Sequence, residues 1–310
     1  MIPSDNSHLT VAALSHPGEI REINEDRFSV TFYTRESDNA SVTLAIVADG
    51  IGGHQAGEVA SQIAVDQISG DIAKASGNDP VVELSAAIIT AGRLISKSAA
   101  RDEALQGMGS TIATAMVVEQ HLFIVSVGDS RIYLIRSGEI QQISIDHTWV
   151  QEAIKHGILT PEEARNHPNA HVLHRHLGGE GDPIPDSRLR LSDDESDEAS
   201  QANQGMSLAP HDQILLCSDG LTDLVEDDEI LEVVSAHSPE EAAGALVDMA
   251  RARGGHDNIT MVIVEVPDTN ATGSSSRLRS GLRLAAAGIA LLLLVAIGLG
   301  LTYLLGYWPW

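Results

Sequence analysis

Val42-Thr43-Leu44-Ala45-Ile46-Val47-Ala48 runs without a charge into Asp49-Gly50-Ile51-Gly52-Gly53. The first seven residues form an apolar run rich in β-branched side chains, which predicts a buried strand. The glycines after it predict a loop with unusual backbone angles. The acid at the junction decides the reading. A carboxylate at a strand end cannot face a dry core unpaired, because an uncompensated buried charge is strongly unfavourable. The same arrangement recurs along the chain. Asn24-Glu25-Asp26, Ser218-Asp219-Gly220 and Asp257-Asn258 each end or interrupt apolar runs, and Gly128-Asp129-Ser130-Arg131 has the same form. Convergence on shared divalent cations would compensate all of them, and oxygen-only ligands favour Mg²⁺ or Mn²⁺. The pattern points to a metal-dependent hydrolase.

Working outward, residues 9 to about 266 read as one domain. Gln55–Ser69 and Val81–Ala100 have helical spacing. Thr111–Val118, Leu122–Val127 and Arg131–Arg136 read as successive strands, with turns near Glu119-Gln120 and at Gly128-Asp129. Ser137-Gly138 closes a hairpin to Ile140–Ile145. Trp149–His156 and Pro161–His167 read as short helices, the second opened by Thr160 with proline in the first turn. Gln213–Cys217 is a strand, Asp227–Ala236 and Pro239–Ala252 are helices, and Ile259–Val266 is the closing strand. Grouped hairpins with helix pairs elsewhere predict an α+β class. The acidic stretch from Asp193 to Glu198, continuing to Gly205, predicts a flexible solvated insertion over about 192–205.

Composition narrows the function. The chain has 310 residues, 44 acids and 19 bases, for a net charge of −25 with histidine neutral. So negative a protein is a poor partner for a nucleic-acid backbone and an easy recruiter of cations. With aromatics at 3 %, the core must come from Ala, Val, Ile and Leu. Cys217 is the single cysteine, which excludes internal disulfides and cysteine-based zinc sites. Residues 1–8 read as a tail without the pattern of a signal peptide. At the other end, residues 284–307 form an apolar run longer than the ~20 residues that cross a bilayer. That run predicts one C-terminal transmembrane helix, followed by a short tail at 308–310. Arg277, Arg279 and Arg283 precede it in a polar linker over 267–283, so the positive-inside rule places the domain in the cytoplasm, on a single-pass anchor in the cell membrane.

Seven motifs carry a resemblance: Arg21-Glu22-Ile23-Asn24-Glu25-Asp26; Asp49-Gly50-Ile51-Gly52-Gly53-His54 with Gly57-Glu58; Gly107-Met108-Gly109-Ser110-Thr111; Gly128-Asp129-Ser130-Arg131; Asp146-His147-Thr148; Leu216-Cys217-Ser218-Asp219-Gly220-Leu221; and Gly255-His256-Asp257-Asn258. In this order they resemble the metal-dependent protein serine/threonine phosphatases of the 2C (PPM) type, particularly the bacterial ones, from about Leu9 to Val266. The resemblance implies a four-layer α-β-β-α sandwich of two antiparallel sheets flanked by helices, with the metals at one end. Ile51, Ser110 and His256 depart from the family's usual residues, and none of them removes an implied ligand.

The resemblance also implies roles for individual residues. Asp49 would bridge two Mn²⁺ or Mg²⁺ ions, and the Gly50 carbonyl would ligate one of them. Asp219 and Asp257 would complete the first ion, Glu25 and (through water) Asp26 would support the second, and Asp129 with Asp219 would hold a third. Arg21 would grip the phosphate, His54 would protonate the leaving alkoxide, and Asn258 would order the metal loop. By the same resemblance metal-bound water attacks phosphorus directly, so no nucleophilic cysteine or serine is expected, and Cys217 reads as core. A turn or cap competes with the metal reading for Asp129, solvation for Glu25, a surface ion pair for Arg21 and a helix cap for His54. Residues from Asp146 to about His176 match the family's flap, in which His167, His171, His174 and His176 read as an exposed, pH-sensitive surface.

The expected function is removal of phosphate from phosphoserine and phosphothreonine proteins, opposing a cognate Ser/Thr kinase at the membrane. Two readings compete with it. One is a membrane-anchored pseudophosphatase scaffold that binds phosphoproteins without turnover. The other is a phosphatase dedicated to an anti-sigma-factor antagonist.

Overall fold

The strand that carries Val42–Ala48 alternates its side chains between two layers, as a pleated strand must. Leu44 and Ile46 face a helix pair, while Ala45 and Val47 face a second sheet. A computed structural model describes residues 1–52, 56–165 and 167–268. Gly53 to Gln55, and the expected linker from 269 onward with the membrane helix 284–307, lie outside the described residues. Within them, no helix is long and apolar enough to cross a membrane.

The first sheet runs, edge to edge, β1 (Ile2–Pro3), β3 (Arg27–Thr34), β4 (Ser41–Ala48), β7 (Ile112–Val118), β8 (His121–Val127) and β11 (Met206–Ser207). The second runs β10 (Glu139–Gln142), β9 (Arg131–Arg136), β12 (Gln213–Cys217), β13 (Ile259–Glu265) and β2 (Thr10–His16). Every neighbouring pair is antiparallel. A small ribbon pairs β5 (Gly50–Ile51) with β6 (Gly109–Ser110). The helices are α1 (Ala56–Lys74), α2 (Pro80–Ala99), α3 (Trp149–Lys155), α4 (Pro161–Arg165), α5 (Asp197–Ala202), α6 (Asp219–Thr222), α7 (Asp227–Ala236) and α8 (Pro239–Ala252).

Three apolar layers hold these elements together. Ala60, Ala64, Ile68 and Ile72 recur every four residues on α1 and pack with α2 on Leu44, Ile46 and Met116. Between the sheets lie Val47, Ala115, Ile124, Ile132, Leu216 and Val262. On the far face, Ile230, Val234, Leu246 and Ala250 of α7 and α8 cover Tyr133, Leu215 and Met261. Burying each of the Val, Leu, Ile and Met side chains contributes roughly 1.5–3 kcal/mol before entropy is counted, and each alanine less. The result is the expected four-layer α-β-β-α arrangement.

Two expectations change. The turn at Gly128-Asp129 does not close a hairpin, because β8 and β9 belong to different sheets. It is a crossover from one sheet to the other, made through Gly128 at φ 105°. The acidic insertion is also ordered. Ser196 accepts a hydrogen bond from the Ala199 N–H at the start of α5, and Ser200 is buried. Asp197 pairs with Arg188 at 2.7 Å. Its excess charge is thus partly neutralised by a cation close in sequence, a pairing that composition alone does not reveal.

Candidate metal centre

The acids that end strands gather at one end of the sandwich. Asp49 follows β4, Asp129 sits in the crossover, Asp219 opens α6 just after β12, and Asp257 stands before β13. Their mutual repulsion is visible in their protonation. Burial, then the charges of Asp26, Asp219, Asp129 and Asp257, hold the Asp49 carboxyl well above the usual range. Burial pushes Asp26 up to about 7, although hydrogen bonds from Ser218 and Thr260 work against it. Burial, with Asp223 and Asp257 adding to it, pushes Asp219 up to about 6. Asp129 is raised well above its ordinary value by burial and by Asp219, and Arg131 only partly offsets this. Burial also raises Glu25, against the pull of Arg21.

Three buried carboxylate oxygens in this group have no hydrogen-bond partner among the described residues: Glu25 Oε1, Asp26 Oδ1 and Asp219 Oδ1. Buried acceptors are almost always satisfied, so an orphaned trio in one cluster of acids calls for cations. The donor set is oxygen throughout, which suits Mn²⁺ or Mg²⁺. The residues therefore fit hard divalent ions.

Polar side chains fix the frame around the acids. The Asp49 N–H donates to Thr111 Oγ1 at 3.0 Å, and Thr111 Oγ1 lies 2.6 Å from Ser130 Oγ. Ser218 Oγ donates to Asp26 Oδ2 at 2.7 Å and accepts from the Thr260 N–H at 3.0 Å. Asn258, only 4 % exposed, accepts from the Glu25 N–H at 2.7 Å and donates to the carbonyls of Pro17 and Ile23 at 3.0 and 3.1 Å. Glycine is required where the backbone crowds the site. A Cβ on Gly50 would lie 2.2 Å from the Gly57 carbonyl oxygen, and one on Gly57 would lie 2.6 Å from Glu25 Oε1.

Arg21 stands at the rim, half-exposed, with Nη2 donating to Asp257 Oδ2 at 2.7 Å. This bond, then the charges of Asp257, Glu25 and Asp49, raise its pKa further. Its remaining donors are available to an anion. His54 lies outside the described residues. The Cys217 thiol is buried in the layer under α7 and α8, and burial pushes its pKa up, so it offers no thiolate.

Beside the acids, a cavity of about 650 Å³ opens between α3, α4 and the α6–α7 corner. The expected flap forms one of its walls and is anchored at both ends. Asp146 Oδ2 accepts hydrogen bonds from Arg131 Nε and Nη2, and Leu177 pairs with Ser110. The flap histidines do not act as a group. His167 stacks on Trp149 at 4.9 Å, whereas His171 faces Asp219 and Asp223. Sequence reasoning did not single out Thr111, Ser130, Ser218 or Thr260 as the frame. The available signal was that Ser130 and Ser218 sit inside acidic motifs and Thr260 lies just after one, whereas Thr111 carried no such signal.

Comparison with known proteins places this geometry in context. The profile of the family Protein phosphatase 2C matches residues 21–250. The chain is similar to the serine/threonine protein phosphatase PstP of Mycobacterium tuberculosis, 36 % identical over 260 residues, or 84 % of this chain and 45 % of that protein. It thus spans less than half the length of that relative. It is also similar to the serine/threonine phosphatase stp of Listeria welshimeri, 34 % identical over 253 residues, covering 80 % of this chain and 92 % of that one. Among solved structures, the catalytic domain of PstP in complex with two manganese ions superposes with a TM-score of 0.68 at 34 % identity, covering 84 % of this chain and 99 % of that one.

Proposed function

The chain belongs to the protein phosphatase 2C family, and we propose on that basis that it hydrolyses phosphoserine and phosphothreonine in proteins with the help of Mn²⁺ or Mg²⁺. The observation that carries the reading is the set of orphaned buried oxygens on Glu25, Asp26 and Asp219 beside Asp49, whose own proton affinity is raised by the same crowding. Glu25, Asp26, Asp49, the Gly50 carbonyl, Asp129, Asp219 and Asp257 would hold two to three ions. Bound there, the ions lower the pKa of water and offset charge on the transferring phosphoryl group.

The chain's own residues do the rest. Arg21 presents its free guanidinium donors to the phosphate, and its bond to Asp257 keeps them at the mouth of the acidic cluster. Asn258 fixes the backbone that carries Glu25. Ser218 holds one oxygen of Asp26 and leaves the other free to face a cation. No step requires a nucleophilic side chain. His54 is the candidate proton donor for the leaving alkoxide.

The substrates would be phosphoproteins made by a cognate Ser/Thr kinase. The apolar run 284–307 would anchor the phosphatase domain, 9–266, to the cell membrane from the cytoplasmic side, supported by the basic residues just before it. A chain stopped before residue 284 should leave the membrane fraction; retention there would sink the anchor. For the activity, the purified full chain is assayed on p-nitrophenyl phosphate and a phosphothreonine peptide with Mn²⁺, Mg²⁺ or EDTA, beside Asp49→Asn. Turnover that needs metal and is lost in the variant supports the reading. A folded wild-type protein inert with both cations refutes it.

A further inference from the structure

The cavity beside the acids also carries a second kind of ligand. Asp219 and Asp223 lie four residues apart on the short α6 turn, joined by the hydrogen bond from the Asp223 N–H to the Asp219 carbonyl. Two imidazoles meet them from separate segments. His171 Nδ1, from the flap, lies 3.7 Å from Asp223 Oδ2 and 3.9 Å from Asp219 Oδ2. His256 Nε2, from the loop before β13, lies 3.7 Å from the same Asp223 oxygen. His171, Asp219 and Asp223 can each bring one ligand atom within 4.8 Å of the others. All four residues line the 650 Å³ cavity.

We infer that His171, Asp223 and His256, with Asp219 as the fourth ligand, form a site for a nitrogen-preferring divalent ion such as Zn²⁺. Size supports this. Zinc bonds to nitrogen and oxygen are near 2.0–2.1 Å, so the edges of a tetrahedron around the ion are about 3.3–3.4 Å. Three of the six edges, at 3.7–3.9 Å, need to close by only a few tenths of an ångström. His171, Asp219 and Asp223 already gather within 4.8 Å, and His256, which stands outside that group, would have to swing in on its exposed side chain. Chemistry supports it as well. Two imidazoles and two carboxylates suit zinc or cobalt, whereas the neighbouring all-oxygen set suits Mg²⁺ or Mn²⁺. Access is open, since the His171 and His256 side chains are 63 % and 48 % exposed. An ion there would tie the flap to the loop before β13 and draw Asp219 away from the oxygen-only centre. Zinc would therefore inhibit by competing with the oxygen-only centre for Asp219, so manganese would raise the zinc concentration needed without itself occupying the two imidazoles.

The test uses the full chain with His171→Ala and His256→Ala, read first by binding. Calorimetric titration with Zn²⁺ in saturating Mg²⁺ should detect one site, weakened by about tenfold or more in each variant. Co²⁺ should give the intense visible absorption of a tetrahedral ion, lost in both variants. Both side chains are exposed, so metal-free thermal unfolding should be unchanged; a shift there calls for His171→Asn and His256→Asn, which must lose the same cobalt band. Variants that bind zinc as tightly as wild type, or a cobalt spectrum they do not alter, overturn the site. The second readout is phosphatase activity. At a fixed Mn²⁺ concentration, zinc inhibition should disappear in both variants, and equal inhibition of wild type and variants overturns the regulatory role. The inhibition limb rests on the phosphatase reading, whereas the binding limb does not, so an inactive protein that still binds zinc through the two histidines separates the two failures.

Discussion

Replacing Asn258 tests how much of the centre depends on one neutral side chain. Its amide joins three points far apart in sequence: the Glu25 N–H and the carbonyls of Pro17 and Ile23. Asn258→Ala strips the partner from each of them at once, in a position only 4 % exposed. A buried polar group left unpaired costs about 1–3 kcal/mol, which sums to roughly 3–9 kcal/mol for three. Water entering the emptied space recovers part, so about 3 kcal/mol of lost stability is the expected outcome. Asn258→Asp is the sharper variant. It keeps an acceptor for Glu25 but turns both donors into acceptors that face carbonyls, and it adds a charge beside Asp257. At neutral pH it should be at least as damaging as alanine. Urea unfolding followed by circular dichroism gives both values, and Mn²⁺ titration should show weaker binding, since Glu25 loses its anchor. If both variants stay within about 1 kcal/mol of wild type and bind manganese normally, the amide does not hold the Glu25 backbone in place.

The rim arginine and the buried acids give two further tests. Arg21→Ala should raise KM for a phosphopeptide by roughly 10–100-fold, the worth of one charge-assisted contact at about 1.5–3 kcal/mol, with Mn²⁺ binding nearly unchanged; an unaltered KM would count against a phosphate role. Metal-free protein should lose stability as pH rises. Asp26 at about 7 and Asp219 at about 6 hold protons in the folded state that the unfolded chain, near 3.9, has released. Stability from these groups is therefore complete below pH ~4 and lost progressively up to ~7, by a few kcal/mol. Urea midpoints at pH 5.5 and 7.5 in EDTA should differ in that direction, and saturating Mn²⁺ should abolish the difference. A metal-free protein more stable at 7.5 would refute the crowding.

Much of this was legible because the strongest signals were local. Val42–Ala48 reads as a strand from its own residues, and the acid and glycines after it announce the site. Helices with good caps were equally readable: Ser238 and Glu241 form a capping box on α8, and proline follows Asp79 at the start of α2. The two expectations that changed failed for different reasons. β8 and β9 have similar apolar patterns, and nothing in such a pattern says which of two sheets a strand joins. The segment from 193 to 198 looked solvated because its acids are adjacent, but Glu195 accepts from the Leu191 N–H and from Asn203, while Asp197 pairs with Arg188. The resemblance implied an ordering role for Asn258, but its partners were illegible for a third reason. Asn258 meets Pro17 and Ile23 across 241 and 235 residues, and only the fold brings them together.

The position of the acids also explains why the two sheets keep their alignment. The layer between them is aliphatic, with Val47, Ala115, Leu216 and Val262 in one cluster, and such packing is non-directional. Polar contacts add direction, and two of these lie at the metal end. Thr111, which leads into β7 of the first sheet, meets Ser130, which leads into β9 of the second. Asp26, before β3 of the first sheet, meets Ser218, after β12 of the second. Each pin touches the acidic cluster: Thr111 also receives the Asp49 N–H, and Asp26 belongs to the cluster itself. A slip of one sheet against the other would break both pins and pull Asp49 away from Asp219. The groups that align the sheets are thus the groups that place the candidate ligands, so cations bound there should tighten sheet alignment as well as supply chemistry.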